Sequence, residues 1–304
     1  MKEISRVFDI LTQYLDRYPN QEAALSIKRN GKWENVPPLD YLNAANDLSY
    51  GLLKLGIEPG DKIGIIASNC PEWNMLDMAI MQIGAISVPV YPTISARDYA
   101  YILGHSDMKM VFIEGVEVMN KVTSILSECP NLQQVYTFVN RERYPYLEQL
   151  IMFGRQNPDP VKLARRREAV TTEQCATIVY TSGTTGLPKG VMLSHSNLVN
   201  QVINLRMTPA KWSTRALSFL PLCHVYERTL TYLYQHLGMT IYYAQSIGTI
   251  AENIKEVNPT MMSVEAMEEQ AAEEVNERTS ILEDEDAQEE EETFPLGVAA
   301  GKGI

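Results

Sequence analysis

From residue 60 to residue 257, short apolar runs of β character alternate with stretches of helical periodicity, and this alternation restricts the chain more than any other feature. Residues 62–67, 86–91, 110–113, 134–139, 216–220 and 240–244 read as strands. Residues 71–83, 95–104, 116–126, 194–206, 227–237 and 247–257 read as helices. Strand–helix–strand units close as parallel crossovers, so the pattern predicts an α/β fold of mostly parallel sheets flanked by helices. Upstream, Ile4, Val7, Phe8, Leu11 and Leu15 fall at helical spacing and predict an opening amphipathic helix. Asn30-Gly31 between 24–27 and 33–36 predicts a hairpin, and 40–55 a helix stopped by Gly56. Residues 140–175, polar and interrupted by Pro145, Pro158 and Pro160, are expected to wrap the surface.

The run Tyr180-Thr181-Ser182-Gly183-Thr184-Thr185-Gly186-Leu187-Pro188-Lys189-Gly190 carries the clearest chemical signal. Glycines at 183, 186 and 190 let backbone N–H groups come close to an anion. Thr181, Ser182, Thr184 and Thr185 add hydroxyls and Lys189 a cation, a donor nest suited to a polyphosphate. Strand-like runs 176–180 and 189–193 bracket the loop, and Ser194 is a good helix N-cap. The spacing is not that of the common P-loop, because Pro188 stands five positions after Gly183 and Gly190 follows Lys189. The bland alternative is a flexible Gly/Thr turn between two strands.

Charge separates the chain into two parts. The net charge is −12, and residues 264–304 hold fourteen Asp/Glu against Arg278 and Lys302, so residues 1–263 balance at zero. No basic surface for nucleic acid is predicted, and the one run of three, Arg165-Arg166-Arg167, is expected on a solvated face. Cys70, Cys129, Cys175 and Cys223 lie far apart without a Cys-x-x-Cys, which indicates reduced thiols rather than a disulfide framework or a zinc site. Met1-Lys2-Glu3-Ile4 lacks the apolar core of a signal peptide, and the most apolar stretch, 75–90, contains Asp77 and Gln82 and is too short to span a bilayer. A cytoplasmic protein without a transmembrane segment is expected; peripheral membrane contact stays open. His105, His195, His224 and His236 show no ligand spacing, so no metal site is predicted among them, and His195 reads as a helix-start residue.

The 180–190 loop resembles the phosphate loop of the acyl-adenylate-forming superfamily, which comprises acyl-CoA synthetases, peptide-synthetase adenylation domains and luciferases. Further segments resemble its long-chain fatty-acid–CoA ligase branch: Gly60-Asp61-Lys62-Ile63-Gly64-Ile65-Ile66, Ser68-Asn69-Cys70-Pro71-Glu72-Trp73, Gly84-Ala85 with Val88-Pro89-Val90-Tyr91-Pro92-Thr93, and Asn258-Pro259-Thr260-Met261-Met262. Leu220-Pro221-Leu222-Cys223-His224-Val225-Tyr226-Glu227-Arg228 is the most branch-specific. The resemblance implies that residues 1–263 are the N-terminal part of the adenylate-forming large domain. It also implies fatty acid, ATP, coenzyme A and Mg²⁺ as reaction partners. Thr181, Ser182, Gly183, Thr184, Thr185, Gly186 and Lys189 would hold the ATP phosphates, and His224 would line the acyl substrate site. Glu227 and Arg228 are left open between a surface pair and a support for the site.

Other motifs of that family are not among the 304 residues. They are a Tyr-Gly-x-Thr-Glu whose glutamate holds magnesium, a Thr-Gly-Asp whose aspartate binds ribose, and a C-terminal domain with a catalytic lysine. The chain therefore reads as a partial adenylate-forming domain, 1–263, joined to an acidic tail, 264–304, of no recognised family. A sheet completed by downstream strands in the family would be left with unpaired edges that favour association. The competing readings are a non-catalytic fragment, acting as a weak phosphate-binding or interaction module, and an adenylating enzyme for another carboxylic acid; the Leu220–Arg228 stretch speaks against the latter.

Residues 283–292 hold eight carboxylates and no apolar side chain larger than alanine, so burial there cannot offset chain entropy. Residues 279–304 are accordingly expected to be disordered. Amide hydrogen exchange across 283–292 should run at the rate of an unstructured peptide, and strong protection there would refute the expectation.

Overall fold

The strands expected between residues 62 and 139 are apolar on both faces, and Ile63, Ile65, Val88, Val111 and Phe112 are fully buried. Such strands need helices on either side. A computed structural model describes residues 4–18, 20–181, 187–205 and 214–263; the tail 264–304, with its expected disorder, lies outside them. The chain runs α1 (Asp9–Arg17), β1 (Leu25–Arg29), β2 (Lys32–Val36), α2 (Pro38–Lys54), β3 (Lys62–Ile66), α3 (Pro71–Gln82), β4 (Ile86–Pro89) and α4 (Ala96–His105). It continues through β5 (Met108–Ile113), α5 (Val116–Ser124), β6 (Gln134–Thr137), α6 (Leu147–Gln156), α7 (Pro160–Ala169), β7 (Cys175–Thr181) and β8 (Lys189–Ser194). Then follow α8 (His195–Asn204), β9 (Arg215–Ser218), α9 (Val225–His236), β10 (Thr240–Tyr243), α10 (Ile250–Val257) and β11 (Met261–Met262). None of the helices described is long and apolar enough to cross a membrane.

Two mostly parallel sheets result. The larger has the order β6-β5-β3-β4-β7-β8, parallel except for the β7–β8 pair. The smaller has the order β11-β9-β10-β1-β2, parallel except for the β1–β2 hairpin. That hairpin turns on Asn30 and Gly31, with φ of 50° and 75°, the paired positive values a tight two-residue hairpin turn requires. At one edge of the larger sheet, Val191 and Met192 point to opposite faces of β8 and are both exposed.

Three sequence expectations change. Residues 140–175 hold helices α6 and α7 rather than a surface wrap. Pro160 occupies the first turn of α7, with the Asp159 carboxylate accepting from the Lys162 N–H at 2.9 Å, so this proline starts a helix instead of breaking one. In α6, Leu147, Leu150, Ile151 and Gly154 form the buried stripe. Gly154 lies so close to α2 that a Cβ would collide with the Asp47 carbonyl. The opening helix starts at Asp9, not Ile4, because the Asp9 carboxylate accepts the N–H groups of Ser5 and Arg6 and folds the preceding residues into a separate turn. Of the arginine run, only Arg165 is exposed; Arg166 pairs with Glu58, and the half-buried Arg167 donates to Gln82 and Asn46.

The junction of the two sheets is polar. Asp77, the acidic residue within the apolar α3, is fully buried and pairs with Arg228 of α9, itself 1 % exposed. Arg228 Nε donates to Asp77 at 3.2 Å and to the Tyr232 hydroxyl at 2.7 Å, and Nη1 donates to Thr177 Oγ1 at 2.6 Å. Thr177 Oγ1 in turn donates to the Ser87 carbonyl at 2.6 Å. The guanidinium also lies over the Trp73 ring, 5.4 Å from its centroid. Burial disfavours the cation, but Asp77 and Tyr232 outweigh it and hold the Arg228 pKa above its ordinary value.

Asp77→Ala would leave the guanidinium buried and unpaired, at an expected cost of about 3–5 kcal/mol. Arg29→Ala, which removes the more exposed pair with Glu72, should cost under about 1 kcal/mol. Urea unfolding midpoints measure both; an equal loss for the two would show that Arg228 does not tie the sheets.

Candidate active site

Ligands of open parallel sheets bind beyond the carboxyl ends of the strands. In the larger sheet these ends include the turn after β3 and the last residue of β7, Thr181. Asn69, in the turn between β3 and α3, reaches across to the smaller sheet. Its Nδ2 donates to the Leu220 carbonyl at 2.6 Å and to Ser218 Oγ at 3.3 Å, and its Oδ1 accepts the Leu222 N–H at 2.9 Å. One amide side chain thereby fixes the loop that leads from β9 to His224. Asn69 was part of a recognised sequence segment, but its partners lie about 150 positions away, and no local signal announces them.

His224 sits at the N-cap of α9, exposed, and makes no side-chain hydrogen bond there. The imidazole is thus free to meet a ligand. Its neighbour Cys223 is buried, and burial pushes the thiol pKa well up, so it stays protonated and unreactive. Arg228, one turn along α9, and Glu227 are both buried, which rules out the surface-pair alternative.

The candidate phosphate cradle is carried by the β7–β8 pair. Thr181 and Lys189 are direct cross-strand partners, so the two ends of the cradle face each other. Both are exposed, and Lys189 has no ion-pair partner among the described residues. Ser182, Gly183, Thr184, Thr185 and Gly186 lie outside the described residues. One step before Thr181, the Tyr180 hydroxyl lies 2.8 Å from His105 Nδ1. At the end of β8, the Ser194 hydroxyl accepts from the Asn197 N–H at 3.2 Å and caps α8 as expected. His195 opens that helix, buried at 1 % exposure, and its Nδ1 accepts the Val7 N–H at 3.3 Å. Burial and the Arg6 charge push the His195 pKa down to about 4, so it is neutral at ordinary pH.

Among the described residues no three His, Cys, Asp or Glu side chains come together as a metal site.

Comparison with known proteins shows the family. The family model described as AMP-binding enzyme matches residues 11–288. A long-chain-fatty-acid–CoA ligase of Mycobacterium tuberculosis is 31 % identical over 236 residues, covering 77 % of this chain and 39 % of that protein. Fatty acyl-CoA synthetase A of Dictyostelium discoideum is 32 % identical over 272 residues, 84 % of this chain and 40 % of its own length. The chain thus spans about two fifths of the length of these curated relatives. A long-chain-fatty-acid–CoA ligase structure from Archaeoglobus fulgidus shares the fold, with a TM-score of 0.72 at 22 % identity over 86 % of this chain and 52 % of that one. An anthranilate–CoA ligase bound to anthranoyl-AMP does so with a TM-score of 0.71 at 21 % identity, over 86 % of this chain and 49 % of that one. With a family match running over most of its length, this chain belongs to the AMP-binding enzyme family.

Proposed function

We propose that the chain carries the triphosphate-holding part of an enzyme that activates a long-chain fatty acid with ATP, through an acyl-adenylate, to acyl-CoA. The observation that carries this reading is the cross-strand pairing of Thr181 with Lys189 at the strand ends, on the loop signature shared with acyl-adenylate formers. The relatives named as long-chain-fatty-acid–CoA ligases support it. In such a reaction the fatty carboxylate attacks the α-phosphorus of ATP and pyrophosphate leaves. The coenzyme A thiol then attacks the acyl carbonyl and AMP departs. Charge builds on the departing pyrophosphate, and preorganised donors with a nearby cation lower that barrier. Thr181 and Lys189 would supply part of that field, and His224 would line the acyl side. Leu220–Arg228 favours long acyl chains over other carboxylic acids as substrate.

Adenylation also uses a magnesium-holding carboxylate, a ribose anchor and a lysine near the reacting carboxylate, whose family motifs are not among the 304 residues. Groups that act as a unit lose most of their effect when some are missing. We therefore expect ATP to bind weakly to the 304-residue chain, with Lys189→Ala weakening it about fivefold. Palmitate-dependent ATP–pyrophosphate exchange should not exceed background. Isothermal titration and radiolabelled exchange measure these. Robust exchange abolished by Lys189→Ala would overturn the inactivity of the isolated chain, and absence of any ATP binding would overturn the phosphate-holding role.

A further inference from the structure

Beyond Thr177, which Arg228 and Ser87 hold, and the Cys175 thiol, which donates to the Thr177 carbonyl of its own strand, Tyr180 ties β7 by a side-chain hydrogen bond to His105. Ile178 and Val179 are apolar, and Thr181 is exposed. Tyr180 touches two other elements, α4 and β8. Its hydroxyl meets His105 Nδ1 at the last residue of α4, at 2.8 Å. The His105 ring is itself stacked on Tyr101, with centroids 5.2 Å apart and planes 24° from parallel, and meets the Tyr180 ring edge-on at 5.8 Å. The Tyr180 body packs with Ile102, Leu103 and Ile178 in the cluster under α4. Across the ladder Tyr180 opposes Gly190, where a Cβ would come within 3.2 Å of Tyr180 Cζ and 2.9 Å of Ile178 Cγ2. Gly190 is thus bare because the tyrosine ring lies against it.

Burial pushes the Tyr180 pKa up to about 12, so the phenol stays protonated. In the tautomer with the ring proton on Nε2, His105 accepts the phenolic O–H at Nδ1. Ser106, Tyr101 and Asp107 are the other polar groups around the phenol. With the bond in place, the ring is held between α4 and β8. The twist at the end of β7 then has one setting, and the next residue on each strand is Thr181 or Lys189.

We propose that His105 is a positioning residue for the phosphate hairpin, fixing through the Tyr180 hydroxyl the separation at which Thr181 and Lys189 present their donors to a polyphosphate. The proposal rests on the nucleotide-binding reading of that hairpin. It adds a determinant of affinity seventy-five residues upstream, on a helix that carries no member of the cradle.

Two measurements on the 304-residue chain test it: amide exchange at Tyr180, Thr181, Lys189 and Gly190, and ATP binding. Tyr180→Phe keeps the ring, and His105→Leu keeps bulk against Tyr101. Each is expected to speed exchange at those amides while β3 and β5 stay at the parent rate. Each should also weaken ATP binding about three- to tenfold, the range for loss of one hydrogen bond. The double variant should bind no worse than the weaker single, because only one bond is lost. His105→Asn restores an acceptor near Nδ1 and is expected to bring both readings back toward the parent, which lost packing alone would not do. Unchanged exchange in both single variants, or no rescue by Asn, would overturn the proposal. Faster exchange in a chain whose parent form binds no ATP would sustain the positioning role and overturn the nucleotide reading instead.

Discussion

The buried pair of Asp77 and Arg228 holds the two sheets in one arrangement. Water is excluded there, so each ion depends on the other and on its hydrogen bonds. Those bonds radiate in fixed directions: toward α3 through Asp77, toward β7 and then β4 through Thr177 and Ser87, and back to α9 through Tyr232. Apolar packing tolerates small slides, but a planar guanidinium with partners on three elements does not. The pair sets where α9 lies, and so where its N-terminus and His224 come out.

Once that frame is set, the strand ends need only local ties. Asn69 joins the turn after β3 to the loop after β9, and Tyr180 fastens β7 to α4. The histidines around this region have separate environments. His195 is buried and neutral beneath the N-terminal residues, His105 lies against two tyrosines, and His224 stands in solvent. Their burial and partners, rather than their spacing in the sequence, set these environments apart.

Much of this was legible before any coordinate. Strand–helix alternation placed most elements, because buried parallel strands must be apolar on both faces and the helices between them amphipathic. Asn30-Gly31 announced its hairpin for the same local reason. Pro158 and Pro160 misled, since proline breaks a helix interior but suits a first turn, and only the spacing of Leu147, Leu150, Ile151 and Gly154 shows that helices surround them. Asp77 stood out as an acid in an apolar run, yet its partner lies 151 positions away, beyond any periodicity. The 180–190 loop stood out as a motif, whereas the facing of Thr181 and Lys189 follows from the β7–β8 register.

Strand β1 pairs in parallel with β10, Leu25 opposite Ile241, although more than two hundred residues separate them. Nearby, the Tyr14 hydroxyl donates to the Met239 carbonyl and Val7 donates to His195. During synthesis the first thirty-six residues can close their hairpin at once, but the strand that flanks it appears only when almost all of the described chain has emerged. Ala24 and Leu25, which end fully buried, wait uncovered until then. Closing so large a loop slows folding more than it weakens the finished structure. The smaller sheet is therefore assembled late, from segments at both ends of the described residues, and its nascent apolar strand is a natural client for chaperones during that interval.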